Sequence, residues 1–174
     1  MSSRFACPPS LLRSRGAWSA DMDRRHEDIP PERAAFLARD YCRGFIRHCR
    51  MEARVVKDGF FEAAVNVGEE HRQQDGFVHA GVMATMADHT AGYAAFTTVP
   101  ADFQILTVEF KINFLRPAWG DTLLCRSEVV RRGSRILVAE SEVLDRRDGE
   151  EMLAAKALVT LAAVHRDKLR SKRG

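Results

Sequence analysis

The sequence lacks several features that would point to particular functions. Its four cysteines include no CxxC pair and do not cluster with histidines, so we expect reduced thiols and no metal site. It has no secretory signal and no transmembrane run, and we expect a cytoplasmic protein that does not bind membranes. Its 27 basic and 24 acidic residues give a net charge of +3, too small an excess to indicate nucleic-acid binding. No spacing suggests a Ser-His-Asp or Cys-His arrangement.

The two ends of the chain differ in composition from its middle. Residues 1–20 contain three arginines, five serines and no acid. That composition fits a transit peptide and fits equally an upstream start codon before Met22; we favour the start codon and place residues 1–28 outside the fold. Residues 166–174 are basic and are expected to be a disordered tail. Residues 29–165 of this 174-residue chain, which is 45% hydrophobic, are predicted to form one domain.

The middle of the chain is organised around one stretch, GFVHAGVMATMADHTAGYAAFTTVP, at residues 76–100. Wound at 3.6 residues per turn, its apolar residues fall on every side, which predicts a buried helix. Asp88 is its one fully charged side chain. A carboxylate within an apolar helix is costly unless it is paired or used, so Asp88 is either a locally capped structural residue or a functional one.

The remaining patterns predict a helix and six strands. An apolar stripe at helical spacing predicts a single helix from Pro31 to Cys49. The clearest strand ends before Arg116-Pro117, and Leu106, Val108, Phe110, Ile112 and Phe114 are expected to point to one side of it. The other predicted strands span residues 51–57 and 60–67, which form a hairpin across Asp58-Gly59, and residues 122–131, 135–145 and 151–164.

The order of these elements is helix, two strands, buried helix and four strands. Short turns join the strands, so the sheet is expected to be antiparallel. A sheet of about six strands has one face to bury, and one apolar helix is available to cover it. The sequence therefore predicts an α+β fold in which the sheet wraps round the central helix. We also expect dimerisation through a sheet edge or the helix face.

The run HAGVMATMADHTAG resembles the signature of hotdog-fold acyl-CoA thioesterases, in particular the phenylacetate-pathway (PaaI-like) group. That group has His-Gly-Gly followed by an acidic residue nine positions after the histidine, and His79 and Asp88 have this spacing. The strand TVEFKINFLRPAWGD and the hairpin RRGSR also resemble the family, so the similarity covers roughly residues 34–164. One position departs from the family pattern, because Ala80 stands where the family usually has its first glycine. The family uses a backbone N–H at that position, which alanine also supplies.

Thioester hydrolysis needs a nucleophile or base and a group that polarises the carbonyl. Asp88 is the one candidate carboxylate in an apolar setting, where desolvation would raise its basicity. The N–H groups of Ala80 and Gly81 begin the predicted helix and can hold an oxyanion. Ala80 and Asp88 are eight residues apart, about 12 Å along a helix axis, so one carbonyl can hardly touch both groups of the same helix. A two-fold dimer in which Asp88 faces Ala80 of the other chain removes this difficulty, and the resemblance also implies a site between subunits.

The resemblance implies further site residues. Gln73 matches an Asn/Gln that binds near the thioester, and Thr107 matches a Ser/Thr that orients water; the alternatives are a solvated loop residue and an outward strand residue. His79 is expected to brace the loop before the helix rather than act as a base, and His89 is expected to pack. Four further residues lie in or beside turns where arginines can meet the phosphates of coenzyme A, namely Arg116, Arg132, Gly133 and Arg135.

Two hypotheses from different classes follow. The first is an acyl-CoA thioesterase that is a homodimer or a dimer of dimers and needs no cofactor, since coenzyme A is part of the substrate. The second is a non-catalytic hotdog protein that binds acyl-CoA as a sensor or structural partner. Small residues beside Asp88 are expected to leave room for a short, medium or aryl acyl group: Ala84, Ala87, Ala91 and Gly92. Larger residues are expected to line the end of that space: Met86, Tyr93 and Phe96.

Overall fold

The computed structural model describes residues 26–170 of the chain. It contains the helices α1 (Pro31–Tyr41), α2 (Phe45–His48), α3 (Ala80–Phe96) and α4 (Arg166–Arg170). Its strands are β1 (Glu52–Lys57), β2 (Phe60–Asn66), β3 (Phe103–Phe114), β4 (Thr122–Arg132), β5 (Ile136–Arg147) and β6 (Glu150–His165). Within this part of the chain, no helix is long and apolar enough to cross a membrane.

The six strands form one sheet in the order β1-β2-β4-β5-β6-β3, with every neighbouring pair antiparallel. Helix α3 packs against one face of this sheet and contacts strands β2 to β6. Its buried residues Met86 and Ala91 belong to the same core as Phe61, Leu123 and Val159 of the strands. The predicted α+β fold, with about six antiparallel strands and one central helix, is confirmed.

Two tight turns follow directly from residue type. Gly59 in the β1–β2 turn has φ of +70°. In the β5–β6 turn Asp148 and Gly149 have φ of +50° and +85°. In the β5–β6 turn both central residues thus have positive φ, the geometry that matches the twist of a two-residue hairpin, whereas in the β1–β2 turn only the glycine does.

The prediction of a single helix from Pro31 to Cys49 is wrong. The chain forms α1 and the short α2, separated by Gly44 with φ of +57°. The apolar stripe continues across the break, because both helices bury residues against the same core. Periodicity therefore does not reveal the break, which depends on the backbone freedom of one glycine.

The prediction of an unbroken alternation along β3 is also wrong. The register between β3 and β6 shifts between Thr107 and Glu109, which is a β-bulge. Thr107 lies opposite buried Leu161, and Phe110 lies opposite buried Val159. Both residues therefore face α3, whereas Leu106 lies on the other face of the sheet. One extra residue in the strand reverses the sides of all residues that precede it.

The folded unit includes residues on both sides of the predicted domain. The ring of His26, assigned above to the N-terminal extension, stacks on Phe60 with centroids 5.0 Å apart. Its Nδ1 donates to the carbonyl oxygen of Asp58 at 3.2 Å. Residues 166–170, assigned to the disordered tail, form α4. The other residues of the two predicted terminal segments, 1–25 and 171–174, lie outside the described part of the chain.

Candidate active site

Asp88 lies in the middle of α3 and is half-buried. The hydroxyl of Thr107 on β3 donates a 2.7 Å hydrogen bond to Asp88 Oδ1. The bulge in β3 makes this contact possible, because it directs Thr107 towards the helix. The alternative that Thr107 is an outward-facing strand residue therefore does not describe this fold. A hydroxyl held against a carboxylate can orient that carboxylate or a water molecule next to it.

Asp88 and Thr107 line a groove of about 220 Å³ between α3 and the first half of β3. Gly92, Tyr93 and Phe96 line it as well, in agreement with the positions proposed from the sequence. Three further lining residues were not predicted to be part of the site: His89, Gln104 and Ile105. Gln104 and Ile105 precede the predicted start of their strand. A strand predicted to begin at Phe103 would have included both residues.

His89 is a packing residue that also borders the groove. Its ring lies 4.6 Å from the ring of Tyr41 and 4.9 Å from that of Tyr93, measured between centroids. Nε2 donates to the carbonyl oxygen of Tyr41 at 3.2 Å, since a carbonyl can only accept. Burial lowers the pKa of His89, which keeps the ring neutral at pH 7. The proton on Nε2 leaves Nδ1 as an acceptor.

A buried pair of serines ties the turn that carries Asp88 to the sheet. The hydroxyls of Ser127 on β4 and Ser141 on β5 lie 2.6 Å apart, and both side chains are buried. Ser141 donates to the carbonyl oxygen of Ala87 at 2.8 Å. Because Ala87 directly precedes Asp88, this contact fixes the depth of the carboxylate over the sheet.

The start of α3 is capped by His79. Its Nδ1 accepts the N–H of Gly81 at 2.9 Å, and its carbonyl oxygen accepts the N–H of Val82 at 3.0 Å. A methyl group at Gly81 would lie 2.9 Å from His79 Nδ1, so glycine permits the close approach of the ring. This geometry agrees with the expected bracing role of His79. It also means that Gly81 already donates, whereas Ala80 has no acceptor within the helix for its N–H.

The loop before α3 is held by a buried histidine that the sequence reasoning missed. His71 accepts the N–H of Gly68 at Nδ1 and donates from Nε2 to the carbonyl oxygen of Cys49, both at 2.9 Å. Its own carbonyl oxygen accepts the N–H of His79 at 2.8 Å. Gln73 lies in this loop, where its N–H donates to the carbonyl oxygen of Phe77 at 2.8 Å. Gln73 does not line the groove beside Asp88.

The candidate phosphate-binding residues lie at opposite ends of the sheet. Arg116 follows β3 at the end where α3 begins, since the N–H of Val78 donates to the carbonyl oxygen of Ala118 at 2.7 Å. The β4–β5 turn, with Arg132, Gly133 and Arg135, lies at the other end. There, Arg132 pairs with Asp58 at 2.6 Å in the β1–β2 turn. One protomer therefore does not bring all four residues to one phosphate group.

The expectation that a row of small residues opens beside Asp88 is partly wrong. Ala84, Ala87 and Ala91 do not line the groove, and neither does Met86, which was expected at its end. Met86, Ala87 and Ala91 are fully buried in the core between α3 and the sheet. Gly92 does line it, and a side chain added there would meet open space. An apolar helix has no apparent outer face in the sequence, so only packing against the sheet shows which of its small residues border a groove.

No group of three or more His, Cys, Asp or Glu side chains in residues 26–170 is arranged to hold a metal ion. The groove itself presents the carboxylate of Asp88, the hydroxyl of Thr107 and the imidazole of His89. A partly exposed carboxylate with a hydroxyl donor can attack an electrophilic carbonyl or activate water.

The chain is similar to known proteins across most of its described length. Residues 75–152 match the sequence model of the thioesterase superfamily. A crystal structure of a thioesterase family protein from Silicibacter pomeroyi is 35% identical, with a TM-score of 0.73, and the match covers 76% of this chain and 98% of that one.

Two curated relatives agree with this assignment. A protein of Halobacterium salinarum named "Putative esterase" is 31% identical over 144 residues, which are 79% of this chain and 91% of the relative. A protein of the same name from Saccharolobus solfataricus is 37% identical over 90 residues, which are 52% of this chain and 61% of the relative, less than two thirds of its length. The fold is the hotdog fold of these thioesterases, and the chain belongs to the thioesterase superfamily.

Proposed function

We propose that this protein hydrolyses acyl-CoA thioesters, with short, medium-chain or aryl acyl groups, to the free acid and coenzyme A. Membership of the thioesterase superfamily and the similarity to proteins named as esterases support hydrolysis of an ester or thioester bond. The observation that carries the proposal is the Asp88–Thr107 contact at the wall of a groove. This contact brings together a carboxylate and a hydroxyl, and the resemblance implies both residues as parts of the active site.

Asp88 acts in this mechanism as the nucleophile or as the general base. As a base it takes a proton from water, the water oxygen attacks the carbonyl carbon, and the carbon–sulfur bond breaks with departure of the coenzyme A thiolate. As a nucleophile its oxygen attacks the carbonyl carbon directly, the carbon–sulfur bond breaks with departure of the coenzyme A thiolate, and water then hydrolyses the resulting mixed anhydride to the free acid and the Asp88 carboxylate. Thr107 holds Asp88 Oδ1 in either case and orients the attacking group.

The carbonyl oxygen of the substrate needs a hydrogen-bond donor as negative charge develops on it. The N–H of Ala80 fits this role, because it is exposed at the start of α3 and has no acceptor within the helix. The N–H of Gly81 donates to His79 and becomes available only if that bond opens. Gln73, in the loop held by His71, is the second candidate to contact the thioester.

A second copy of the chain completes this site in our proposal. Ala80 and Asp88 are separated by about 12 Å on one helix, which is too far for one carbonyl to contact both. The groove of about 220 Å³ is also smaller than typical ligand sites, which measure about 300–1,000 Å³. The edge strand β3 leaves Val108, Phe110 and Phe114 exposed, a surface that a second β3 strand would cover.

The alternative is a protein of the same superfamily that binds acyl-CoA without turnover. The two functions separate in one experiment. Purified full-length protein is incubated with acyl-CoAs from acetyl to palmitoyl and with phenylacetyl-CoA and benzoyl-CoA, and the released thiol is measured. We expect hydrolysis with an optimum at short, medium or aryl acyl groups. Saturable acyl-CoA binding without thiol release from any substrate would support the alternative instead.

A further inference from the structure

An exposed tryptophan is held rigidly at the end of the sheet where α3 begins. Trp119 lies in the turn before β4 and exposes 51% of its surface. Its ring stacks on Phe77, with the centroids 5.5 Å apart and an angle of 24° between the ring planes. The guanidinium carbon of Arg147 lies 4.2 Å from the ring centroid of Trp119. We refer to Phe77, Trp119 and Arg147 as the Trp119 platform.

A buried carboxylate fixes this platform. Asp145 is 1% exposed and accepts the N–H of Trp119 at 3.2 Å, the N–H of Gly120 at 2.9 Å and Nε of Arg147 at 2.8 Å. Burying a carboxylate is costly unless several donors satisfy it, and here the donors are the turn and the arginine of the platform. The result is an exposed aromatic side chain whose conformation is already fixed. A ligand that binds to it therefore loses less side-chain conformational entropy.

The platform lies beside the proposed oxyanion donor and next to an exposed arginine, Arg116. Phe77 precedes Ala80 by three residues, which extended chain spans in roughly 10 Å. Arg116 stands three residues before Trp119 and is exposed. Arg72 donates to the carbonyl oxygens of Trp119 and Gly120 at 3.4 and 3.3 Å, so a further cation supports the turn. The turn thus combines an aromatic surface with several guanidinium groups.

These features match a planar base that carries phosphates. Bases stack on aromatic side chains whatever their identity, and guanidinium groups pair with phosphate oxygens in a bidentate manner. The β4–β5 turn at the other end of the sheet is less suited, because residues 132–135 include no aromatic side chain on which a base could stack. We propose that the Trp119 platform binds the nucleotide end of the coenzyme A substrate, with the adenine against the exposed surface of Trp119 and the phosphates near Arg116. This inference rests on the proposed function.

A binding experiment tests the platform without any catalytic readout. The chain has two tryptophans, so Trp18→Phe leaves Trp119 as the only one. We expect adenosine 3′,5′-bisphosphate to quench its fluorescence in a saturable manner and phosphopantetheine, which lacks the nucleotide, to leave it unchanged. Arg116→Gln should weaken the nucleotide response about tenfold. A signal that does not saturate, or one that both ligands produce equally, would overturn the inference.

A kinetic experiment compares substrates with and without the nucleotide. For Trp119→Leu we expect KM to rise about tenfold for an acyl-CoA, with kcat unchanged, and no change for the same acyl group on pantetheine. Phe36→Ala is the matched control, because Arg33 lies over that exposed ring near the other end of α3. Equal losses with both substrates, or a change in oligomeric mass in Trp119→Leu, would show that the platform serves the fold or a contact between copies.

If the wild type hydrolyses no acyl-CoA, the proposed function fails and the fluorescence titration still decides whether the platform binds nucleotide.

Discussion

Thr107 and Asp88 are nineteen residues apart in the chain and on different elements, yet the Thr107 hydroxyl donates to Asp88 Oδ1 at 2.7 Å. The contact depends on the β-bulge that turns Thr107 towards α3. In the proposed mechanism this hydrogen bond holds the carboxylate in its reactive orientation.

Asp88→Asn should lower kcat by about 10²-fold or more and leave the fold intact, because the amide neither accepts a proton nor attacks a carbonyl. Steady-state kinetics on the best acyl-CoA and the melting temperature measure the two effects. Asp121→Asn, which changes an exposed carboxylate before β4, is the control and should retain wild-type activity. Near-wild-type kcat in Asp88→Asn would exclude both proposed roles of the carboxylate.

Thr107→Val keeps the shape of the side chain and removes the hydrogen-bond donor. Hydrogen bonds to charged groups are worth about 1.5–3 kcal/mol, and for this partly exposed one we expect kcat to fall about tenfold. Thr107→Ser keeps the hydroxyl and should stay within about threefold of the wild type. A wild-type kcat in Thr107→Val would show that the hydroxyl has no role in catalysis, and a loss in Thr107→Ser alone would assign the effect to the methyl group.

Gly92→Val should move the preferred acyl group to shorter chains, because the added side chain enters the groove where a Cβ meets open space. The measurement is kcat/KM across a series of acyl-CoAs. Ala91→Leu is a contrasting variant, since Ala91 is fully buried and overpacking costs about 1–3 kcal/mol. It should lower the melting temperature without a selective change of substrate. An unchanged optimum in Gly92→Val would mean that the acyl group binds elsewhere.

Ala80→Pro should abolish activity by removing one N–H while keeping α3. Ala80 is the first helical residue, and proline is well tolerated at that position. His79 before it has ψ of 134°, the extended conformation that a residue before proline prefers. Mixed dimers of Ala80→Pro and Asp88→Asn chains should regain one working site each. Heterodimers that form but remain inactive would place both groups of a site in the same subunit.

A chain that begins at Met22 should keep its melting temperature and activity, because residues 1–20 carry no packing pattern. His26→Ala is expected to differ. Loss of the stacking on Phe60 should cost about 1 kcal/mol and lower the melting temperature by about 3 °C. Thermal unfolding of the two proteins measures both effects. A clear loss of stability on deleting residues 1–21 would show that this segment packs on the domain.

The sequence alone was sufficient for the fold class, the number of strands and the central helix. These follow from local features, namely apolar residues on all sides of residues 80–96, alternation in the strands, and turn pairs such as Asp58-Gly59. Local patterns report burial and backbone preference, which decide the type of an element before any tertiary contact forms. Asp88 was identifiable for the same reason, as a lone carboxylate in an apolar helix.

The arrangement around Asp88 was decided by tertiary structure. The bulge in β3 brings Thr107 to the helix, Gly44 divides the first helix, and packing buries Ala87 and Ala91 while leaving Gly92 at the groove. The Trp119 platform likewise depends on Asp145, twenty-six residues away in the chain. Each of these depends on how separate elements meet, and a one-residue shift or a helix rotation changes it without changing the local pattern. Hydrophobic periodicity does not contain that information, because it is an average over a whole element.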